Sequence, residues 1–177
     1  MPMNTFETVP QQINNWLIIR LPMTISTDLP SRGMVMAEVT INETITLAPL
    51  EPDGMGSHWF RVNEDLFEGV IFHQDSPVSV TIMPTNDWTD PEIPDDLNHS
   101  LTAYDVRTRW DSLTSKARWA WVRWIRFTNN PKTREKRIVT LCSMLESGKR
   151  RPCCFDHSRC TVTQVSKSGQ LDLPPVE

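Results

Sequence analysis

The sequence predicts an α+β fold, and three observations carry that expectation. Strand-type patterning is confined to the first half of the 177 residues, helical periodicity takes over after about residue 94, and the charge changes sign at the same place. Residues 1–93 carry only Arg20, Arg32 and Arg61 against thirteen acidic side chains, a net of −10. Residues 94–151 carry thirteen basic side chains against six acidic ones, a net of +7. Such asymmetry marks two modules with different partners. The expected organisation is a small β-barrel of five or six strands and one short helix over 12–84. An acidic, proline-rich linker over 85–93 follows, then a basic four-helix module over 94–151 and a cysteine-containing extended tail over 152–177.

The elements follow from local pattern. Trp16–Leu21 is a short apolar run stopped by Pro22. Met34–Ile41 leaves the Ser31-Arg32-Gly33 turn, and Asn42-Glu43 turns it back into Thr44–Leu47 as a half-buried hairpin. Pro52-Asp53-Gly54 and Gly56 form a loop before a strand at Trp59–Val62. Asn63 is placed to cap a short helix through Phe67 that ends at Gly69. Val78, Val80 and Ile82 alternate in the last strand. Pro84–Pro94 combines three prolines with two aspartates and a glutamate and lacks an apolar period, which is linker chemistry.

Beyond the seam, Pro94-Asp-Asp opens a helix with proline and two acids in the first turn. Asp105 is placed to cap a second, through Trp110. Thr114 or Ser115 caps a third, to about Phe127. Asn130-Pro131 caps a fourth, which runs to Ser147 ahead of Gly148.

The third of these helices holds the candidate binding residues. At about 100° per residue, Ala117, Ala120, Trp121, Trp124 and Ile125 share a core side, whereas Lys116, Trp119, Arg123 and Arg126 share the opposite one. An aromatic ring within a cationic stripe suits stacking on a ligand while the cations engage anionic groups, although Trp119 packed on a neighbouring element is the plainer alternative. Lys136, Arg137, Lys149, Arg150 and Arg151 extend the basic set. The last three also suit the helix C-terminus electrostatically.

Metal and catalytic chemistry find less support. Cys153-Cys154-Phe-Asp-His157-Ser-Arg-Cys160 contains soft ligands, but the spacing lacks the paired CxxC of zinc knuckles. Neither a metal nor another cofactor is expected. His58, His73, His99 and His157 stand in unrelated contexts, and the sequence lacks Gly-x-Ser-x-Gly, a phosphate loop and His-Glu-x-x-His. A non-enzymatic protein is therefore expected, with a site in a cleft gathering His58 or His73 and carboxylates as the enzymatic alternative. No stretch reaches the roughly 18 apolar residues that span a bilayer. The N-terminus lacks signal-peptide character. The expectation is a cytoplasmic protein with reduced cysteines.

The run Trp121-Val-Arg-Trp-Ile125, then Asn130-Pro-Lys-Thr-Arg-Glu-Lys-Arg-Ile138 and Met144-Leu-Glu-Ser-Gly-Lys-Arg150, resembles the bacteriocin-protection family, also called YdeI/OmpD-associated. The Arg32-Gly33 turn into a strand and the Phe60–Leu66 strand-to-helix entry are similar to the small β-barrel domain of unknown function that often precedes it. The resemblance implies a bacterial stress-protection protein, linked to bacteriocin or antimicrobial-peptide resistance, and supplies no catalytic residues. The expected partner is anionic: a protein, a lipid surface or a nucleic acid. The alternative is a scaffold in which the basic module docks on the acidic half of its own chain or of a homodimer mate.

Overall fold

β-Branched and aromatic residues alternate through the first half of the chain and organise it into seven strands. In the computed structural model, which describes residues 2–177, these are Asn4–Thr8 (β1), Gln11–Ile13 (β2), Trp16–Arg20 (β3), Val35–Ile41 (β4), Thr44–Pro52 (β5), His58–Arg61 (β6) and Val78–Pro84 (β7). They form one antiparallel sheet in the order β1-β7-β4-β5-β6-β3-β2. Its two rims, β1 and β2, are separated in sequence only by Val9 and Pro10. That link reaches at most about 11 Å, whereas seven flat strands would put the rims about 29 Å apart. The sheet must curl, and it does so as a half-barrel. The expectation of five or six strands starting near residue 12 is corrected here. Asn4–Thr8 buries only Phe6, so its pattern is too thin to read, and its pairing with β7 is long-range.

The core of this sheet gathers Ile19, Val39, Ile41, Leu50, Phe60 and Ile82 with their neighbours. The β4–β5 hairpin turns at Asn42 and Glu43, both at positive φ (49° and 69°), as a two-residue hairpin requires. Register pairs Ile45 with Thr40 on the outer face, where Ile45 is 66% exposed. A short helix absent from the sequence reading, Met23–Thr27 (α1), follows Pro22. The expected helix after Asn63 is a single turn: the Asn63 side chain accepts from the Leu66 N–H at 2.8 Å, and Gly69 (φ 80°) ends the turn.

Four further helices occupy the second half: Asp95–Ala103 (α2), Arg107–Asp111 (α3), Ser115–Arg126 (α4) and Pro131–Glu146 (α5). They enclose a separate core of Leu97, Leu101, Trp110, Trp121, Ile125 and Leu141 with neighbouring side chains. Thr114 caps α4 by accepting from the Ala117 N–H, and Asn130 caps α5 with Pro131 in its first turn. Asp105 does not cap α3. It lies at φ 54°, and Val106 occupies the cap position without a side-chain hydrogen bond.

The chain divides into two compact units, and the division is not linear. One unit comprises the residues up to Trp88 together with His157–Cys160 and Gln164–Glu177; the other comprises Thr89–Asp156 and Thr161–Thr163. The tail is thus part of the strand-rich unit from residue 164 onward. There Ser166–Lys167 (β8) and Gln170–Leu171 (β9) form a hairpin through Ser168 and Gly169, both at positive φ. The Leu171 N–H donates to Asp53 O at 2.8 Å, Asn14 Nδ2 to Gln164 O at 2.6 Å, and Arg20 Nη1 to Pro174 O at 2.5 Å.

Candidate functional site

The cationic stripe on α4 is largely enclosed. Arg123, expected on an outward face, is only 2% exposed, and its guanidinium lies 5.4 Å from the centre of the Phe155 ring. Arg126 donates from Nε to Thr161 Oγ1 at 3.0 Å and stands 6.0 Å from the Trp119 ring. Trp119 itself donates from Nε1 to Thr89 O at 2.7 Å. Helical periodicity separates this side of α4 from Trp121, but it carries no information about what covers it. Phe155 and Thr161, 32 and 35 residues downstream of Arg123 and Arg126, do so. The linker adds to the enclosure, since Asp90 accepts from Ser115 Oγ at 2.6 Å and from Arg118 Nη1 at 2.9 Å.

The core side of α4 follows the periodic reading more closely. Trp121 is fully buried and donates from Nε1 to Arg150 O at 2.9 Å. Trp124 is half-buried and meets it edge-on, with ring centroids 5.8 Å apart. Arg137 is a helix-end fixture: its Nη1 donates to Trp124 O at 3.0 Å and Phe127 O at 2.6 Å. These carbonyls belong to the last turn of α4, where a cation is favoured. Desolvation holds the Arg137 guanidinium below its ordinary pKa.

The remaining cations are presented to solvent. Lys116, Lys136, Lys149, Arg150 and Arg151 are all exposed. Of these, Lys149, Arg150 and Arg151 follow the C-terminal end of α5. Arg150 Nη2 donates to Ser112 O at 2.7 Å, which ties the run to the turn between α3 and α4. Arg109, exposed on α3, adds a fourth cation, because a Cβ built on Gly148 would lie 3.9 Å from its Nη1. Sequence reasoning missed Arg109, whose 39-residue separation from Gly148 leaves no local signal. Elsewhere in the helical unit, Tyr104 and Val139 line an open groove with His99 and the Asp96–Arg134 pair. The two Arg134–Asp96 hydrogen bonds, at 2.6 and 2.9 Å, hold the Asp96 carboxyl below its ordinary pKa.

The strand-rich unit holds a second polar cluster, closed to solvent. His58 is 1% exposed and Ser26 is fully buried. His58 Nε2 lies 2.8 Å from Gly33 O, a group that can only accept, so Nε2 carries the proton. Nδ1 therefore accepts from the Ser26 hydroxyl, at 2.5 Å. Burial, aided by the Arg32 charge and opposed by the Gly33 hydrogen bond, Asp53 and Glu51, lowers the His58 pKa to about 4. Asp53 is organised beside it, accepting from the Met55 and Ser57 N–H groups at 2.7 and 2.9 Å and from Arg20 Nη2 at 3.5 Å. A serine hydroxyl on a neutral imidazole is the start of nucleophilic chemistry, but Ser26 offers no surface to a substrate in this conformation. His73, His99 and His157 are exposed.

Cys160 is buried, whereas Cys153 and Cys154 are exposed. Among the described residues, no three His, Cys, Asp or Glu side chains converge as a metal-ligand set, and no helix is long and apolar enough to cross a membrane.

Comparison with known families follows the same division. Residues 6–82 match a domain of unknown function, DUF1905. Residues 90–148, which include the enclosed stripe and α5, match the family described as bacteriocin-protection, YdeI or OmpD-associated. No curated protein matches the chain. The helical module is accordingly similar to the bacteriocin-protection, YdeI or OmpD-associated family, and the segment ahead of it to DUF1905.

Proposed function

We propose that this is a non-enzymatic binding protein whose helical module engages an anionic partner through Arg109, Lys149, Arg150 and Arg151. The observation that supports this reading is the grouping of those four exposed cations at the C-terminal end of α5 and the adjoining turn. The stripe on α4 is a poorer candidate, since Arg123 is buried and Trp119 and Arg126 are engaged within their own unit. The family description adds protection against bacteriocins as the setting in which such binding would matter.

The test is retention on immobilised heparin, with salt elution. A chain of net charge −4 has no general affinity for a polyanion, so retention would report a local patch. Wild type is expected to be retained, and the Lys149→Glu/Arg151→Glu variant to elute at distinctly lower salt. Reversal of Lys132 and Lys136, about 20 Å away along α5, should leave elution unchanged. Co-elution of wild type and the Lys149/Arg151 variant, or passage of wild type straight through, would remove the proposal.

A further inference from the structure

The helix α5 ends in a cation-rich turn, and immediately beyond it stand two adjacent cysteines that serve no packing purpose. Cys142 is buried in the helical core and Cys160 is fully buried, so both behave as small apolar residues. Cys153 and Cys154 are different: both thiols are exposed, and their sulfurs lie 2.8 Å apart. Cys154 also takes φ 61°, the left-handed region that non-glycine residues occupy rarely and often at functional positions. Lys149, Arg150 and Arg151 precede the pair in the sequence.

We propose that Cys153 and Cys154 form a redox-active vicinal dithiol, which peroxide converts reversibly to a disulfide between adjacent residues. The hydrogen bond to Cys153 holds the Cys154 thiol above its ordinary pKa. Cys154 therefore keeps its proton, and Cys153 is the attacking sulfur. The Cys153 thiolate displaces water from hydrogen peroxide: the O–O bond breaks, a sulfenic acid forms, and the departing hydroxide takes up a proton. The Cys154 sulfur then attacks the Cys153 sulfur, the S–O bond breaks, and a second water leaves with the Cys154 proton. The net change is two thiols and one peroxide to one disulfide and two waters.

Covalent geometry makes this bond easy to reverse. Adjacent Cα atoms lie about 3.8 Å apart, inside the lower limit of about 4.4 Å for ordinary disulfides. The strain raises the reduction potential and places the bond among labile, regulatory disulfides rather than structural ones. The ring would close one residue before Phe155, the side chain that faces the buried Arg123.

Peptide mapping of the intact protein after equimolar hydrogen peroxide tests the proposal. Arg151–Arg159 contains Cys153 and Cys154 but not Cys160, so trypsin isolates the pair. The expected product is this peptide about 2 Da lighter than its dithiol form and resistant to alkylation. Glutathione should restore both alkylatable thiols. Cys154→Ser should stop at a Cys153 sulfenic acid that dimedone traps. The inference is overturned if the wild-type peptide stays fully alkylatable, cross-links to another peptide, oxidises past the sulfenic stage or resists glutathione. A Cys153→Ser variant that still loses the Cys154 thiol to a disulfide would overturn it as well.

Discussion

Acidification should destabilise this protein in good part through His58. The folded chain holds its imidazole neutral between Gly33 O and the Ser26 hydroxyl, with a pKa of about 4 against 6.5 in the ordinary state. The sign follows from proton counts. Between those two values the unfolded chain binds the proton and the folded chain does not, so stability is full above about pH 6.5 and is lost as pH falls towards 4. From pH 7.5 to 4.5 the loss is roughly 2.5 kcal/mol, approaching roughly 3 kcal/mol below pH 4. Urea unfolding at both pH values measures it. Because carboxylates titrate in the same window, the comparison is with His58→Gln, whose amide can donate to Gly33 O and accept from Ser26 without titrating. The pH dependence of the variant should be smaller by about 2.5 kcal/mol. Parallel behaviour of the two proteins would refute the reasoning, as would an imidazole titration by NMR with its midpoint near 6.5 in the folded wild type. The NMR measurement also serves if the glutamine variant does not fold.

Two further substitutions probe how each unit is held. Gly54→Ala places a Cβ 2.1 Å from Gly169 O at φ 78°, so the β8–β9 hairpin must shift. A loss of at least about 2 kcal/mol is expected, with faster proteolysis within residues 164–177 in native buffer. Arg137→Met removes the hydrogen bonds to Trp124 O and Phe127 O and should cost about 1–2 kcal/mol in urea unfolding. Lysine at the same position should recover only part of that, since it lacks the planar fork.

The parts of the molecule that were legible in the sequence are those decided within one turn or one hairpin. Thr114, Asn130-Pro131 and Asn42-Glu43 act on groups at most three residues away, and each does in the structure what its chemistry implies. The enclosure of Arg123, the grouping of Arg109 with Lys149–Arg151 and the Ser26–His58 pair all depend on long-range contacts. Ser26 and His58 are 32 residues apart, and neither stands in a pattern that announces the other. Strand β1 was missed for a related reason. With Phe6 as its one buried side chain, only pairing with β7 makes it a strand. Local periodicity could identify which side of α4 lacks core residues, but not whether water or Phe155 lies against that side.

The discontinuity of the strand-rich unit has a consequence for the order in which the chain can mature during synthesis. Strand β1 emerges first but cannot pair until β7, whose partner residues run from Val78 to Ile82, has followed it. The β8–β9 hairpin then arrives only after every residue of α2 to α5 has been made. The helices α2–α5 are therefore all synthesised while the earlier domain still awaits its last segment. Of the two domains, the one that starts earlier is the one that can be completed later.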